Sequence, residues 1–396
     1  MSGPCSADFQ RLAAEVGGFT CDEAHPVIQI RNPFGLTNWT LPVLEALIVG
    51  CAVLALIHAV RRFRREGDRI PLVMWCAPVV YLLVIEPPVY FPDLVGAEES
   101  MGLVFVHNVF TVEFLWDRLP LYIVAIYPAL MVLAYEIVRA FGIFTRRGIL
   151  AGSVAVCFVH HCFYEVFDHL GPQRNWWLWN TKSDANQPAI AAVPLNSIFL
   201  FATLGPGLIT AVVLSMAKRR HGTGLNTRVR LIGAIVVAGF AAPIGVTLGG
   251  IPGRLAGSGD HPNVVAQAVV LIELTAVLLG AGAWVLARAY CDRHERFIAP
   301  LPIIMWTSGA LFAVVFAVLW ASSLPGYVSA VGGVTGRGTA IGNLPYAAAS
   351  FVAVLLLLAA VRPRGGPGCH DDVTTDRKLA VETPLNGVRR QRTSLD

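Results

Sequence analysis

Long runs of apolar residues, separated by short polar or basic segments, occupy most of the chain between residues 41 and 361. A helix needs about 20 mostly apolar residues to cross a bilayer, and nine runs approach or exceed that length. The pattern therefore predicts an all-α fold, a polytopic transmembrane helix bundle with about nine spans. In chain order the predicted spans are 41–60, 71–88, 119–141, the helical part of 148–180, 190–217, 229–248, 264–290, 302–324 and 345–361.

Basic residues collect on alternate connections between these runs. Of the 30 lysines and arginines, 23 lie in 61–70, 139–147, 218–230, 288–296 and 362–396, and 7 lie elsewhere. Cytoplasmic loops carry an excess of Lys and Arg, so the N-terminus is predicted outside and the C-terminus inside. The predicted organisation is an extracytoplasmic N-terminal segment (1–40), a transmembrane helical domain (41–361) and a disordered cytoplasmic tail (362–396).

One segment between the second and third apolar runs is neither an apolar span nor a basic connection. Residues 101–118 place His107, Glu113 and Asp117 among aromatic side chains and are too polar for a span. We interpret this segment as an interfacial or re-entrant piece on the outer side. A crossing at this point would break the alternation of basic connections.

The composition is that of a membrane protein, with 55% hydrophobic and 14% charged residues. No basic region followed by an apolar core opens the chain, so no cleavable signal peptide is predicted. Only three of the basic residues are lysine, a bias that indicates a GC-rich bacterial genome, and we expect a multi-pass protein of the cell membrane. Of the eight cysteines, only Cys5 and Cys21 lie where an extracytoplasmic disulfide is chemically reasonable. Whether they pair is left open.

Several motifs of soluble enzymes are absent from the sequence. It contains no GxxxxGK[ST] phosphate loop, no GxGxxG motif after a strand, no GxSxG nucleophile elbow and no CxxCH haem site. Nucleotide hydrolysis, dehydrogenase chemistry and haem redox are therefore unsupported, and no cofactor is predicted. The short basic loops suit anionic lipid headgroups better than nucleic acid. The predicted partners are the lipid bilayer and a lipophilic small molecule.

Candidate chemistry is densest in residues 148–180, an apolar helix that turns polar in its second half. His160 points away from the main polar face and His169 lies at its edge. With about 100° of rotation per residue, that face carries Cys157, His161, Tyr164, Glu165 and Asp168. Ionisable groups in a membrane span cost free energy unless they face a partner or a wet cavity, so this cluster is a functional candidate.

Under the predicted topology, the intramembrane acids share the outer half of their spans. They are Glu45, Glu86, Glu165, Asp168 and Glu273. Such costly side chains would not gather in one leaflet by chance, so we infer a polar cavity that opens to the outer face and is lined by spans one, two, four and seven. Glu45 has a second interpretation, in which its side chain extends to water. Glu136, one turn from Arg139 near the other end, is interpreted as a local ion pair.

Four interpretations of the polar cluster stay open. His161 and Glu165 form a hydrogen-bonded pair that joins helices. Alternatively, His161, Glu165, Asp168 and His169 bind a metal, although no HExxH motif is present. In a third interpretation the group performs acid–base chemistry, because a carboxyl group in an apolar pocket holds its proton. In a fourth it relays protons during transport. The indoles of residues 176–179 are interpreted as an interfacial anchor rather than a carbocation platform.

Residues 71–180 resemble a known enzyme family. The residues concerned are the acid-Pro-Pro-x-Tyr-Phe run at 86–91, a polar outer loop, Tyr127-Pro128 in a span with a basic end, and a span that ends in acids before an aromatic loop. In this order they resemble the spirocyclase family of actinobacterial polyketide pathways and are similar to the integral-membrane carotenoid cyclases and hydratases. The resemblance implies proton-driven ring closure or hydration of a lipophilic substrate. Its matching acids are Glu86, Glu165 and Asp168.

The leading hypothesis is an intramembrane cyclase, isomerase or hydratase for an isoprenoid- or polyketide-like substrate. Its predicted catalytic residues are Glu165, Asp168, His161, Glu86 and Glu273, with Glu165 or Asp168 as general acid and His161 as base or orienting partner. A proton-coupled transporter or lipid-handling protein is the alternative, although no inverted repeat relates the two halves. A third hypothesis is a non-catalytic structural subunit.

Overall fold

The computed structural model describes residues 5–17, 20–180, 183, 186–218, 225, 227–257, 263–292 and 299–363. The chain divides into a unit of residues Met1–Arg362 and a C-terminal unit, Pro363–Asp396. From residue 364 onward, the predicted disordered tail lies outside the described residues. Everything below concerns the first unit.

Helices make up most of this unit. They are α1 (Ala7–Val16), α2 (Thr40–Glu66), α3 (Ile70–Ile85), α4 (Pro87–Tyr90), α5 (Ala97–Met101), α6 (Leu121–Ala140), α7 (Ile143–Arg146), α8 (Gly148–Asp168), α9 (Gly205–Ala217), α10 (Arg228–Gly257), α11 (Val264–Cys291), α12 (Ile303–Val328) and α13 (Leu344–Ala360). A π-helical segment, Ser197–Leu204, leads directly into α9.

Eight helical stretches are long and apolar enough to cross a membrane, which confirms the multi-pass helical character expected from the sequence. α3 and α4 count as one such stretch, Ile70–Tyr90, and the π-helical segment joins α9 in another, Ser197–Ala217. The remaining predicted span corresponds to α13, which has 17 residues. Three predicted boundaries were wrong: the first span continues to Glu66, the fifth begins after a short hairpin rather than at residue 190, and the sixth continues to Gly257.

Seven short strands lie in the connections. They are β1 (Ile28–Ile30), β2 (Phe105–His107), β3 (Val112–Phe114), β4 (Leu119–Pro120), β5 (Trp177–Trp179), β6 (Ala189–Ile190) and β7 (Val193–Pro194). All pairings are antiparallel, in the order β1-β3-β4, β2-β5 and β6-β7. The polar segment at 101–118 therefore forms parts of two small sheets, and no spanning helix occurs within it.

These strands belong to a layer at one end of the helices, which we call the cap: the described residues of 5–39, 91–120 and 169–196. A disulfide joins Cys5 to Cys21 and so settles the pairing that the sequence left open. Arg31 donates to Glu113 at 2.5 Å and to Asp117 at 2.6 Å, and both carboxyl groups are buried. The cap is thus held by a covalent link and a buried ionic bridge.

Glu45 joins the cap to α2. Its carboxylate accepts hydrogen bonds from the backbone N–H groups of Thr111 at 3.0 Å and Val112 at 3.1 Å. The side chain is buried, so the interpretation that it extends to water was wrong. At the opposite end of the bundle, Arg139 donates to Glu136 at 3.2 Å, which confirms that local pair. His58 also contacts Glu136, at 3.0 Å.

The tryptophan run is part of the core. Trp176 and Trp177 are almost fully buried, and the Trp176 indole donates to the Thr40 hydroxyl at 2.8 Å. Trp177 lies on β5 and pairs with His107 on β2. Because these two rings pack inside the protein, their interpretation as an interfacial anchor was wrong.

Candidate functional site

A cavity of about 720 Å³ lies below the cap, between α3, α8, the π-helical segment and α10. Its walls are mainly apolar, and aromatic rings of β5 close part of it on the cap side. Single residues of α6 and α11 complete the wall, whereas α2 contributes none. The sequence thus correctly placed spans two, four and seven at the cavity and wrongly placed span one there.

Two carboxyl groups line this cavity, Glu86 at the end of α3 and Asp168 at the end of α8. Both are buried in the protein. Asp168 accepts a hydrogen bond from the Ser197 hydroxyl at 2.9 Å. Glu86 accepts one from the Tyr127 hydroxyl. No lysine or arginine of the described chain is within 4.0 Å of either carboxyl group, so hydroxyl groups rather than cations hold them.

A chain of hydrogen-bonding side chains runs from Glu86 into the cap. The Tyr90 hydroxyl interacts with Glu86 and contacts His107 Nε2 at 3.1 Å. His107 Nδ1 contacts the Tyr122 hydroxyl at 3.0 Å. A neutral imidazole donates through one ring nitrogen and accepts through the other. When Nε2 carries the proton, it donates to Tyr90, whose own O–H is then directed to Glu86.

His107 lies in the cap and is 2% exposed. Burial lowers the pKa of its imidazole from 6.5 to about 3. The side chain is therefore neutral at physiological pH, as the hydrogen-bonded chain requires. Glu86 and Tyr90 come from the end of α3 and from α4, His107 from β2 and Tyr122 from α6, so tertiary packing assembles most of this chain.

The depressed pKa of His107 gives a pH-dependent stability. In the unfolded chain the His107 imidazole binds a proton near pH 6.5, whereas in the folded chain it does so only near pH 3. The contribution of His107 to the free energy of unfolding is therefore fully present above pH 6.5 and falls on acidification by about 1.4 kcal/mol per pH unit. Between pH 7 and about pH 5, the melting temperature of a His107→Gln variant should fall less than that of the wild type. The exposed His25 offers the control His25→Gln. Parallel curves for His107→Gln and the wild type would contradict the assignment.

The polar face predicted for α8 is divided between two environments. Tyr164 and Asp168 face the cavity. Glu165 and His161 instead lie beside α13, where the Tyr346 hydroxyl contacts His161 Nε2 at 2.9 Å. Glu165 does not line the cavity, and its Oε2 is 3.2 Å from His169 Nε2. The prediction that one cavity contains the whole face was therefore wrong.

His161 is fully engaged in this second environment. The Thr203 hydroxyl donates to the Ile198 carbonyl at 2.7 Å, so its oxygen accepts from His161 Nδ1 at 2.9 Å. The Tyr346 hydroxyl then donates to Nε2. Both ring nitrogens are occupied, and His161 lies outside the cavity wall. This geometry does not support its predicted role as the base that acts on a substrate in the cavity.

Interatomic distances test two of the sequence-based interpretations, the hydrogen-bonded pair of His161 and Glu165 and the metal site. His161 Nδ1 is 3.9 Å from Glu165 Oε1, too far for a hydrogen bond. His169 Nδ1 accepts from the Asn343 backbone N–H at 3.1 Å, which leaves its Nε2 directed at Glu165. Within the described residues, no three His, Cys, Asp or Glu side chains are arranged to hold a metal ion. The weak metal candidates His161, Glu165 and His169 thus do not form a ligand set.

Glu273 is separated from both environments. Its side chain is exposed on α11 and does not line the cavity, where α11 contributes Gln267 instead. The sequence-based inference that Glu273 shares a cavity with Glu86 and Asp168 was wrong.

The π-helical segment connects the two environments through α8. Ser197 at its start holds Asp168. Near its end, Thr203 contacts His161, and the Ala202 carbonyl accepts from His160 Nδ1 at 2.8 Å. A π-helix is rare and commonly occurs at functional sites. Here its wider turn brings polar groups to the cavity wall and to the interior of the bundle.

Sequence reasoning missed most of the groups that surround the two carboxyl groups. Tyr90, Tyr127, His107 and Ser197 were not predicted as site residues. One local signal existed, because Tyr90 follows Glu86 by four residues. The others come from distant parts of the chain.

Comparison of the chain with protein family models, curated proteins and solved structures gives no match. The functional argument therefore depends on the geometry of the site.

Proposed function

We propose that this chain is an intramembrane acid–base enzyme that isomerises, cyclises or hydrates a lipophilic substrate in the cavity below the cap. One observation carries the proposal: two buried carboxyl groups, Glu86 and Asp168, line the same apolar cavity and are held by hydroxyl groups. The buried acids with structural roles are held differently: Glu113 and Asp117 pair with Arg31, and Glu45 accepts from two backbone N–H groups.

The hydrogen bonds assign different roles to the two acids. Glu86 accepts a hydrogen bond from the phenolic hydroxyl of Tyr127 and lies near that of Tyr90, and a phenol is a stronger donor to an anion than an aliphatic hydroxyl. Asp168 receives one hydroxyl hydrogen bond, from Ser197. We therefore assign Asp168 as the general acid and Glu86 as the general base. Carboxyl groups that differ in environment commonly divide the two roles in this way.

Isomerisation and cyclisation balance without a further reactant, and hydration consumes one water molecule. Asp168 gives its proton to one carbon of a carbon–carbon double bond, and the electron pair of that bond forms the new C–H bond. A cation remains on the other carbon. Attack by a second double bond closes a ring, and Glu86 then removes a proton from the adjacent carbon to form a new double bond. In hydration, water attacks the cation and Glu86 accepts the proton that the water loses. Tyr164, Phe167 and Trp177 line the same cavity and supply π faces to a cation.

We further propose nine spans, including α13, with the cap outside the cell membrane of a bacterium and the C-terminus inside. The distribution of 23 of 30 basic residues on the opposite connections supports this orientation. The disulfide in the cap supports it as well, because disulfides persist in oxidising compartments. The substrate then reaches the cavity from the outer leaflet.

The experiment compares lipids and metabolites of cells that lack the chain with cells that carry the wild type, Glu273→Gln or the double variant Glu86→Gln/Asp168→Asn. We expect one lipophilic compound to accumulate without the chain and with the double variant. The wild type and Glu273→Gln should convert it to a product of equal mass or of one water more. Identical profiles for the wild type and the double variant would refute the enzyme. A compound that is redistributed across the membrane without conversion would favour the transporter instead.

A further inference from the structure

A cation at the rim of the cavity is not used by the proposed chemistry. Arg254 lines the cavity, yet its side chain is exposed. Its guanidinium contacts Met101 Sδ at 3.7 Å, a weak interaction. No carboxylate of the described residues pairs with it. An exposed arginine that lines a cavity, with no carboxylate partner among the described residues, can bind an anionic ligand.

The distance of Arg254 from Glu86 follows from the packing of α10 against α3. The two helices run parallel: Arg69 before α3 donates to the Leu225 carbonyl before α10, and farther along Gly239 packs against Val80. Glu86 follows Val80 by six residues, and residue 245 follows Gly239 by six residues. Glu86 is therefore level with residue 245 of α10. At about 1.5 Å per residue, Arg254 then lies about 13 Å nearer the cap end than Glu86.

The wall between these two levels is largely apolar. The cavity face of α10 carries Val246 and Gly250 below Arg254, and Leu200 and Phe201 of the π-helical segment lie opposite. Near the rim, Gln267 and Ser100 add polar groups. The cavity thus has a polar, positively charged opening at Arg254 and an apolar wall between Arg254 and Glu86. An anionic group is attracted to the guanidinium and repelled by the Glu86 carboxylate.

We propose that the cavity binds an amphiphile with one anionic oxygen headgroup, a phosphate or a carboxylate, and an unsaturated apolar chain. Arg254 binds the headgroup, and the chain extends inward until its double bonds reach Glu86 and Asp168. Arginine suits this role because its planar guanidinium forms two parallel hydrogen bonds to a carboxylate or phosphate. This inference rests on the proposed function in taking the cavity as the substrate site, but it makes a separate statement about binding.

The test uses the full chain in phosphatidylcholine nanodiscs and a brominated fatty acid, 9,10-dibromostearate, as the probe. Bromine quenches tryptophan fluorescence at short range, and Trp177 and Trp179 line the cavity. Both the acid and its uncharged methyl ester should quench lipid-facing tryptophans such as Trp284. The acid should add a saturable component that the ester lacks. Arg254→Gln should raise the half-saturating concentration of the acid about tenfold, equivalent to about 1.4 kcal/mol. Arg254→Lys should give an intermediate value.

A matched control separates a headgroup site from general surface charge. Arg337, exposed in the loop that leads to α13, lies at the same end of the bundle outside the cavity. Arg337→Gln should leave the saturation curve unchanged. Equal losses for Arg254→Gln and Arg337→Gln would overturn the proposal, as would equal binding of acid and ester. Melting temperatures of all variants should match, which excludes misfolding as the cause.

Further arms identify the source of the anionic group and separate the two proposals. Competition by excess inorganic phosphate would show that Arg254 binds the free anion as well. Competition by phosphatidylglycerol alone would identify a bilayer lipid headgroup as the ligand. The double variant Glu86→Gln/Asp168→Asn should still bind the probe. Binding that depends on Arg254 in a protein that converts no compound would retain this inference and reject the enzyme.

Discussion

Asp168→Asn should convert the compound that accumulates in cells lacking the chain about 10² to 10⁴ times more slowly than the wild type, the usual contribution of a general acid or base. Asparagine keeps the size of the side chain and its contact with Ser197, but it has no transferable proton. Glu86→Gln should cause a loss in the same range, because its amide cannot accept the proton that the product releases. The measurement is the single-turnover rate in nanodiscs.

Glu273→Gln is the matched control for this prediction. It makes the same chemical change in a span at a position outside the cavity. Its rate should stay within about twofold of the wild type, since surface changes away from a site have small effects. Equal losses in Asp168→Asn and Glu273→Gln would indicate a general effect of removing acids from the membrane region. Unchanged melting temperatures in Asp168→Asn and Glu86→Gln would locate the loss in chemistry rather than folding.

Arg31→Met should destabilise the cap by about 3 to 5 kcal/mol, the cost of leaving a buried charge without its partner. Arg31 is the common partner of Glu113 and Asp117, whose side chains are 0% and 1% exposed. Its removal leaves two buried acids close together with no cation between them. Thermal unfolding followed by tryptophan fluorescence reports on this region, because Trp176 and Trp177 lie in the cap.

Two further variants test the cause of that loss. Arg11→Met removes an arginine whose pairs with Asp8 and Glu15 are exposed, so it should cost less than about 1 kcal/mol. The triple variant Arg31→Met/Glu113→Gln/Asp117→Asn should recover part of the loss, since neutral amides need no counter-ion. A triple variant as unstable as Arg31→Met would show that packing, and not charge, accounts for the effect.

The helical bundle could be predicted because lipid leaves the backbone few alternatives. A chain that crosses a bilayer must satisfy its N–H and C=O groups within each segment, so a long apolar run becomes a helix. Its length can be read from the residues themselves. The positions of α2, α6 and α11 illustrate this, since each agrees with its predicted span to within a few residues, except at the C-terminal end of α2.

The cap could not be predicted in the same way. β2 has three residues and pairs with β5, which lies about 70 positions later in the chain. Such a short strand shows no periodicity of its own, and its partner is specified only by the folded structure. For the same reason the tryptophans near residue 177 resembled an interfacial anchor, although Trp176 and Trp177 are buried within the cap.

The composition of the site was partly predictable, because sequence gives the height of a residue along a helix better than its direction around the bundle. Glu86, Asp168 and Glu273 were placed in the same half of their spans, yet Glu273 faces outward. On α8, Glu165 and Asp168 are neighbours on one face of the helix. They separate because α13 packs against one side of that face and the π-helical segment against the other.

The π-helical segment also fixes the direction in which Ser197 faces. A π-helix has more residues per turn than an α-helix, so Ser197–Leu204 accommodates an additional residue without rotating the turns that flank it. The same residues wound as an α-helix would rotate Ser197 by up to about 100° relative to α9 and turn it away from Asp168. Deleting one residue within the segment should permit α-helical winding with Ser197 still directed at Asp168, whereas an insertion should not.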